Sequence, residues 1–220
     1  RHSSLRQQNK EIIDWLQAHR SECTTDTIFE YIKVLWMNEL WDDLAELSTR
    51  LLPNECAFNV AGYLSESRDD NYIRRSLEIY KNLLSKGWQR KWLNFNIGCI
   101  QRHLGYVEEA KNSFKSEYDQ YHTDVALKNL ICLRFETQEF TDDVYFEELK
   151  NYTNFHSQNW VGAICLKLGH YCDARKYFLR SLLINCNDNP SISGFLQTVG
   201  RLPEVKADTV QANTVCVLKD

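Results

Sequence analysis

One four-residue pattern occurs twice in this chain, and it constrains the fold more than anything else in the sequence. Gly98, Gly105, Ala110 and Phe114 stand at intervals of 7, 5 and 4, and Gly162, Gly169, Ala174 and Phe178 repeat the same residues at the same intervals. Each set spans two helical stretches, with the second glycine at the turn between them. Self-similarity at such a period is the mark of stacked helical hairpins, in which each unit cannot bury its apolar face alone.

The register extends beyond these two copies. The second helix of each hairpin carries a packing quartet at intervals of 4, 3 and 1: Ala110, Phe114, Glu117, Tyr118 in one copy and Ala174, Phe178, Ser181, Leu182 in another. Leu44, Ser48, Leu51, Leu52 and Ser76, Tyr80, Leu83, Leu84 keep that spacing, and Asp143, Glu147, Lys150, Asn151 form a degenerate copy whose apolar residues move to Val144, Tyr145, Phe146 and Leu149. The copies start at Leu44, Ser76, Ala110, Asp143 and Ala174, so the period is nearly constant along the chain. A small residue lets the two helices of a hairpin approach, an aromatic one turn later is expected to fill the gap against the next hairpin, and the following apolar pair continues the same face. A glycine at the turn accepts backbone angles that other residues resist.

These residues resemble the tetratricopeptide repeat family, whose repeat runs to about 34 residues with small, aromatic and glycine positions at set places. The resemblance covers roughly residues 25–188. Ile97-Gly98 and Val161-Gly162 keep the apolar-glycine pair of the family signature; the closing proline is absent from most copies, with Pro53 and Pro190 as its counterparts. The resemblance implies an all-α fold of antiparallel hairpins stacked as a right-handed superhelix, an α-solenoid. The expected organisation is a capping helix in 1–24 and repeats over 25–200, at about 25–56, 57–90, 91–123, 124–154 and 155–188 before a closing helix near 191–200. An extended tail or linker follows in 201–220. Individual helices are expected at about 5–20, 26–38, 40–52, 55–67, 71–86, 91–104, 106–120, 124–137, 140–152, 155–168 and 170–185.

Composition narrows the function classes. The chain has 220 residues, 43% of them hydrophobic, with only three prolines and a net charge of −4. That balance argues against nucleic acid, since helical repeats that bind RNA carry a basic groove. No apolar run approaches the ~20 residues of a membrane span. The eight cysteines show no C-x-x-C and no zinc-like pairing, so they read as small buried residues between helices; Cys99, Cys132 and Cys165 recur at an even spacing of about one repeat. Cys186 and Cys216 are expected to be more exposed. Of the six scattered histidines, His103, His122 and His170 lie at or near helix ends, and the acidic pairs Asp42-Asp43, Glu108-Glu109 and Asp142-Asp143 open second helices, where carboxylates suit the positive helix end. No catalytic motif accompanies them, so the reading is a non-enzyme without metal or cofactor, cytoplasmic by default.

In the resembled family the first helix of each hairpin lines the concave groove. By that mapping the groove includes Trp92, Phe95, Asn96, Cys99, Arg102 and His103, then Lys128, Cys132 and Phe135, then His156, Asn159, Ala163 and Lys167. Trp92, Asn96, Arg102 and Lys128 are the residues expected to grip a protein or peptide partner, because Trp and Arg are enriched at binding hot spots and the packing pattern does not demand a large ring and two cations there. Trp88 and Trp92 flank two positive charges at a hairpin junction, and one of the two rings is expected to pack under the next helix. The clamp for a C-terminal carboxylate that some family members carry, a Lys and an Asn one turn apart, is not reproduced: Cys132 follows Lys128. An alternative reading is a regulatory or substrate-docking segment of a larger multidomain protein.

Overall fold

The computed structural model describes residues 2–19, 22–50, 52–137 and 144–199. Among these residues the regular structure is all helical: α1 (His2–Ala18), α2 (Thr25–Met37), α3 (Trp41–Ser48), α4 (Asn54–Leu64), α5 (Asp70–Ser85), α6 (Leu93–His103), α7 (Val107–Tyr121), α8 (Asp124–Glu136), α9 (Val144–Lys150), α10 (Phe155–Lys167), α11 (Tyr171–Ile184) and α12 (Asn189–Val199). The described part contains no strand. The expected tail over 201–220, Leu51 of the quartet, the acidic pair Asp142-Asp143 and Cys216 lie outside the described residues.

The helices form where the sequence provides both a face and a start. Thr24 precedes α2 with extended backbone, and its hydroxyl accepts from the Thr27 N–H at 3.2 Å. Asp69 caps α5 through the Asn71 N–H at 2.8 Å, and Asn154 caps α10 through the Ser157 N–H at 2.9 Å. Each cap satisfies a donor that the helix itself leaves unpaired. The two proline counterparts also stand at helix starts, Pro53 as the residue before α4 and Pro190 in the first turn of α12, where a missing N–H costs nothing. Helix α3 is shorter than the expected 40–52: it ends at Ser48, and the Thr49 and Arg50 N–H groups close onto the Glu46 and Leu47 carbonyls.

The chain divides into two compact units, residues 1–133 and 134–220. In the first, α1 packs on α3, α2 on α3 and α4, α4 and α6 each on the helix that follows, and α5 on α6. In the second, α10 packs on α9, α11 and α12, and α11 on α12. Both units have an apolar interior. Leu44, Cys56, Val60, Leu64, Tyr80 and Phe114 are fully buried in the first, and Leu149, Val161, Ala174 and Phe178 are buried in the second.

The two glycines of the founding pattern serve opposite purposes. Gly105 and Gly169 have φ of +81° and +78° with no atom near an added Cβ, so they are needed for backbone angle alone. Gly98 and Gly162 are helical, and a Cβ at either would stand 2.8 Å from the ring of Phe114 or Phe178. The aromatic of the quartet therefore lies against the glycine of its own hairpin. Phe178 also covers Gly194 of α12, so this ring does bridge to the next helix. The quartet's fourth position varies: Tyr118 is buried, whereas Leu84 is 40% exposed and Leu182 half-buried. In the degenerate copy Phe146 and Leu149 enter the core, whereas Glu147 and Asn151 are exposed.

Candidate functional site

The first-helix face of the first unit starts with an irregular junction. Helix α6 begins at Leu93 and not near residue 91. Trp92 precedes it in left-handed backbone, φ 80° and ψ −4°, a conformation that costs a non-glycine residue strain and needs support. Glu117, the third member of its quartet, supplies that support. Its side chain is wholly buried, and its carboxylate accepts from the Trp92 N–H at 2.6 Å and the Phe95 N–H at 3.3 Å. A carboxylate at that place satisfies the open donors of α6 and sits at the positive helix end. Burial pushes its pKa above the ordinary glutamate range, while the N–H groups of Trp92, Phe95 and Asn94 and the charge of Lys91 pull it down. Ser181 occupies the same register in the second unit, where its hydroxyl donates to the Phe155 carbonyl at the start of α10 at 2.8 Å. In these two copies the third quartet position is thus a polar latch onto the first helix, which the apolar reading of the quartet missed; in the α5 copy the same position is the buried Leu83. The polar residue in both strong copies was the available signal.

Trp92 accordingly does not line a helix, as the repeat mapping expected. It stands before α6 with its ring 38% exposed, edge-on to Phe95 at 5.5 Å and with the Lys91 ammonium 5.2 Å from its centre. Trp88 packs against Phe58 of α4, with the ring centres 5.7 Å apart. Arg90 lies over the other side of this cluster, 4.7 Å from the Phe58 ring, and pairs with Glu55.

Asn96, Cys99 and Arg102 succeed one another every third position along α6 and share a face. Asn96 donates to the Tyr80 hydroxyl at 3.0 Å and so ties α6 to α5. Arg102 donates to the Asn129 side-chain carbonyl of α8 at 3.4 Å, and Asn129 in turn donates to the Val125 carbonyl at 2.8 Å. Cys99 reports on what lies between. Desolvation pushes its thiol up to about 11, while Arg102 and Lys128 both pull it down. The two cations come from different helices and act on the same sulfur. Asn96, Cys99, Arg102 and Lys128 are therefore brought to one patch of α6 and α8. Trp92 lies ten positions before Arg102, about 15 Å away at the helical rise, at the opposite end of α6. In the second unit, Asn159 donates to Ser191 of α12 at 2.7 Å, and the Lys167 ammonium lies 5.7 Å from the Phe135 ring.

The cysteine ladder does not hold as a buried set. Cys56 and Cys165 are buried, and desolvation raises both thiols to about 11; Cys132 and Cys23 are half-buried, and Cys99, Cys172 and Cys186 are exposed. The cause is register. The step between quartets shortens by two from Ala110–Asp143 to Asp143–Ala174, whereas the cysteine spacing stays constant. Cys165 therefore falls two positions past the place equivalent to Cys99 and Cys132, and turns into the core. The histidines do sit at helix ends: His122 closes α7 in left-handed backbone, His170 precedes α11, and His103 meets Asp70 at 3.2 Å in the last turn of α6. Asp43, expected only at a helix start, is buried and accepts from Asn9 of α1 at 2.9 Å, which fastens the first helix to the stack.

No protein-family model matches this chain, and no curated protein matches it. Solved structures do. A tetratricopeptide repeat protein from Parabacteroides merdae aligns at 19% identity with a TM-score of 0.52, over 66% of this chain and 60% of its own. Yeast Tom70 aligns at 13% identity with a TM-score of 0.57, over 92% of this chain. The fold is a tetratricopeptide-like helical repeat. The chain spans 60% of the length of the first of these structures and 45% of the second. At such identities the likeness concerns the path of the tetratricopeptide-like backbone. The patch on α6 and α8 is read from its own side chains. Among the described residues no helix is long and apolar enough to cross a membrane.

Proposed function

We propose that the chain is a protein-interaction module, and that the α6–α8 face binds a peptide or protein segment through Asn96, Arg102 and Lys128, with Trp92 as an anchor at the far end of the helix. The observation that carries this reading is the bond from Arg102 of α6 to Asn129 of α8 at 3.4 Å, which ties one cation to the helix that carries the other, Lys128. A segment with a carboxylate opposite that patch gains charge-assisted hydrogen bonds, and its apolar residues can run along α6 to the exposed ring of Trp92. The fold supports the reading in general, because stacked hairpins present long surfaces for partners.

The test starts with the full chain as bait, followed by titration of the recovered partner against wild type and the Arg102→Ala, Lys128→Ala double variant. Loss of about 1 kcal/mol or more is expected if either cation is a hot spot. Equal affinities would remove the patch from the interface.

A further inference from the structure

The first unit carries a second feature, built by an irregularity in the repeat. The turns joining α2 to α3, α6 to α7 and α10 to α11 each leave three residues between helices, but the turn from α4 to α5 leaves five, Ser65 to Asp69. The step from Gly62 to Tyr80 is consequently two positions longer than the steps from Gly98 to Phe114 and from Gly162 to Phe178. This longer turn and the α2–α3 turn both border an open cleft of about 1420 Å³. Insertions of this sort in repeat proteins gather on one face, often the binding face.

The walls are aromatic and the rim is acidic. Trp36 and Trp41 come from the first hairpin and Tyr72 from the second. Their orientation is fixed: Trp36 stacks on Tyr63 at 4.7 Å and donates its indole N–H to Glu66 at 2.9 Å, and the Tyr72 hydroxyl donates to Asp42 at 2.5 Å. Glu39, Glu66, Asp69 and Asp70 line the cleft against two cations, Lys33 and Arg68. Asp69 is engaged in capping α5, and Asp70 meets His103. Glu66 accepts the Trp36 indole N–H through one of its two oxygens, and Glu39 stands in left-handed backbone at φ 55°.

We infer that this cleft takes an arginine side chain from a basic segment of a partner protein. A guanidinium is planar and always charged; it can stack on an indole face while its fork reaches a carboxylate. Flat rings with carboxylates at their edges match that shape better than they match a compact ammonium, and the acidic rim disfavours a phosphate or an acidic peptide. The cleft does not depend on the α6–α8 patch, which carries charge of the opposite sign.

The probes are three short peptides, Gly-Ser-Arg-Gly-Arg-Ser-Gly with blocked ends and its counterparts with lysine or glutamine at both arginine places. Each is titrated into the full chain while the indole N–H signals of Trp36 and Trp41 are followed by NMR. The arginine peptide is expected to shift both signals saturably, the lysine peptide more weakly and the glutamine peptide not at all, with the response falling as salt is raised. Glu66→Gln keeps an acceptor for Trp36 and removes the charge. Glu39→Gly removes the other charge at a backbone angle that suits glycine. Each should weaken the arginine peptide about two- to fivefold, the range of one exposed ion pair, with the thermal midpoint of each variant recorded to confirm the fold. The Arg102→Ala, Lys128→Ala variant should respond as wild type does, which separates this cleft from the patch on α6 and α8. No shift with the arginine peptide, an equal shift with the glutamine peptide, or full affinity in both charge variants would overturn the assignment.

Discussion

At the scale of single residues, the glycine–phenylalanine contact makes the sharpest prediction. Gly98→Ala would improve helix propensity by up to about 1 kcal/mol, but its Cβ would lie 2.8 Å from Phe114, whose ring is fully buried and has nowhere to move. The clash should win, with a net loss of about 1–3 kcal/mol in urea unfolding. Adding Phe114→Leu, which removes the ring, should make the alanine less harmful than it is alone. A second residue-scale prediction follows from Glu117. Burial raises its folded pKa above the unfolded value, so the folded state binds the proton more readily, and its contribution to stability increases as pH falls through that window. Glu117→Gln has no proton to bind there. The thermal midpoint of wild type relative to Glu117→Gln should therefore improve between pH 7 and pH 4, and a constant difference would show that the carboxylate is not desolvated. Neither residue role could be read from spacing. The pattern identified Gly98 and Glu117 as register positions, but the reason for each lies in a neighbour brought close only by folding.

At the scale of elements, Ala174 is fully buried where α11 meets α10 and α12. Ala174→Leu should overpack that contact at a cost of about 1–3 kcal/mol, measured as a lower urea midpoint. Helix positions were the most legible part of the sequence, because a repeat supplies the same information several times. The expected 106–120 and 155–168 correspond to Val107–Tyr121 and Phe155–Lys167. The departures have local causes. Helix α6 starts late because Glu117 pins the backbone at Trp92, and the α4–α5 turn breaks register because it is two residues longer than the others. The candidate site divides in the same way. Mapping first helices put Asn96, Arg102 and Lys128 inside α6 and α8, where they lie. Trp92 fell just outside one, and the cleft under the long turn left no trace in the periodic pattern because it is a break in that pattern.

At the scale of the molecule, hairpins that touch only their neighbours make damage local. Stability in such a stack is close to a sum of unit terms and nearest-neighbour contacts, so a defect need not unfold the whole chain at once. The second unit offers a suitable lesion at Gly194, where an added Cβ would lie 2.3 Å from the Phe178 ring. Phe178 is 1% exposed and already rests on Gly162 on its other side, so it cannot retreat. Gly194→Ala should accordingly increase hydrogen exchange in α10, α11 and α12, which share that ring and pack on one another. The amides of α4 and α5, whose interior is built from Val60, Leu64, Tyr80 and Leu83 in the other compact unit, should keep their wild-type protection. Exchange read peptide by peptide in wild type and variant distinguishes the two outcomes. Loss of protection in α4 and α5 in step with α11 would mean that the chain unfolds as one cooperative body and that the division into units has no energetic counterpart.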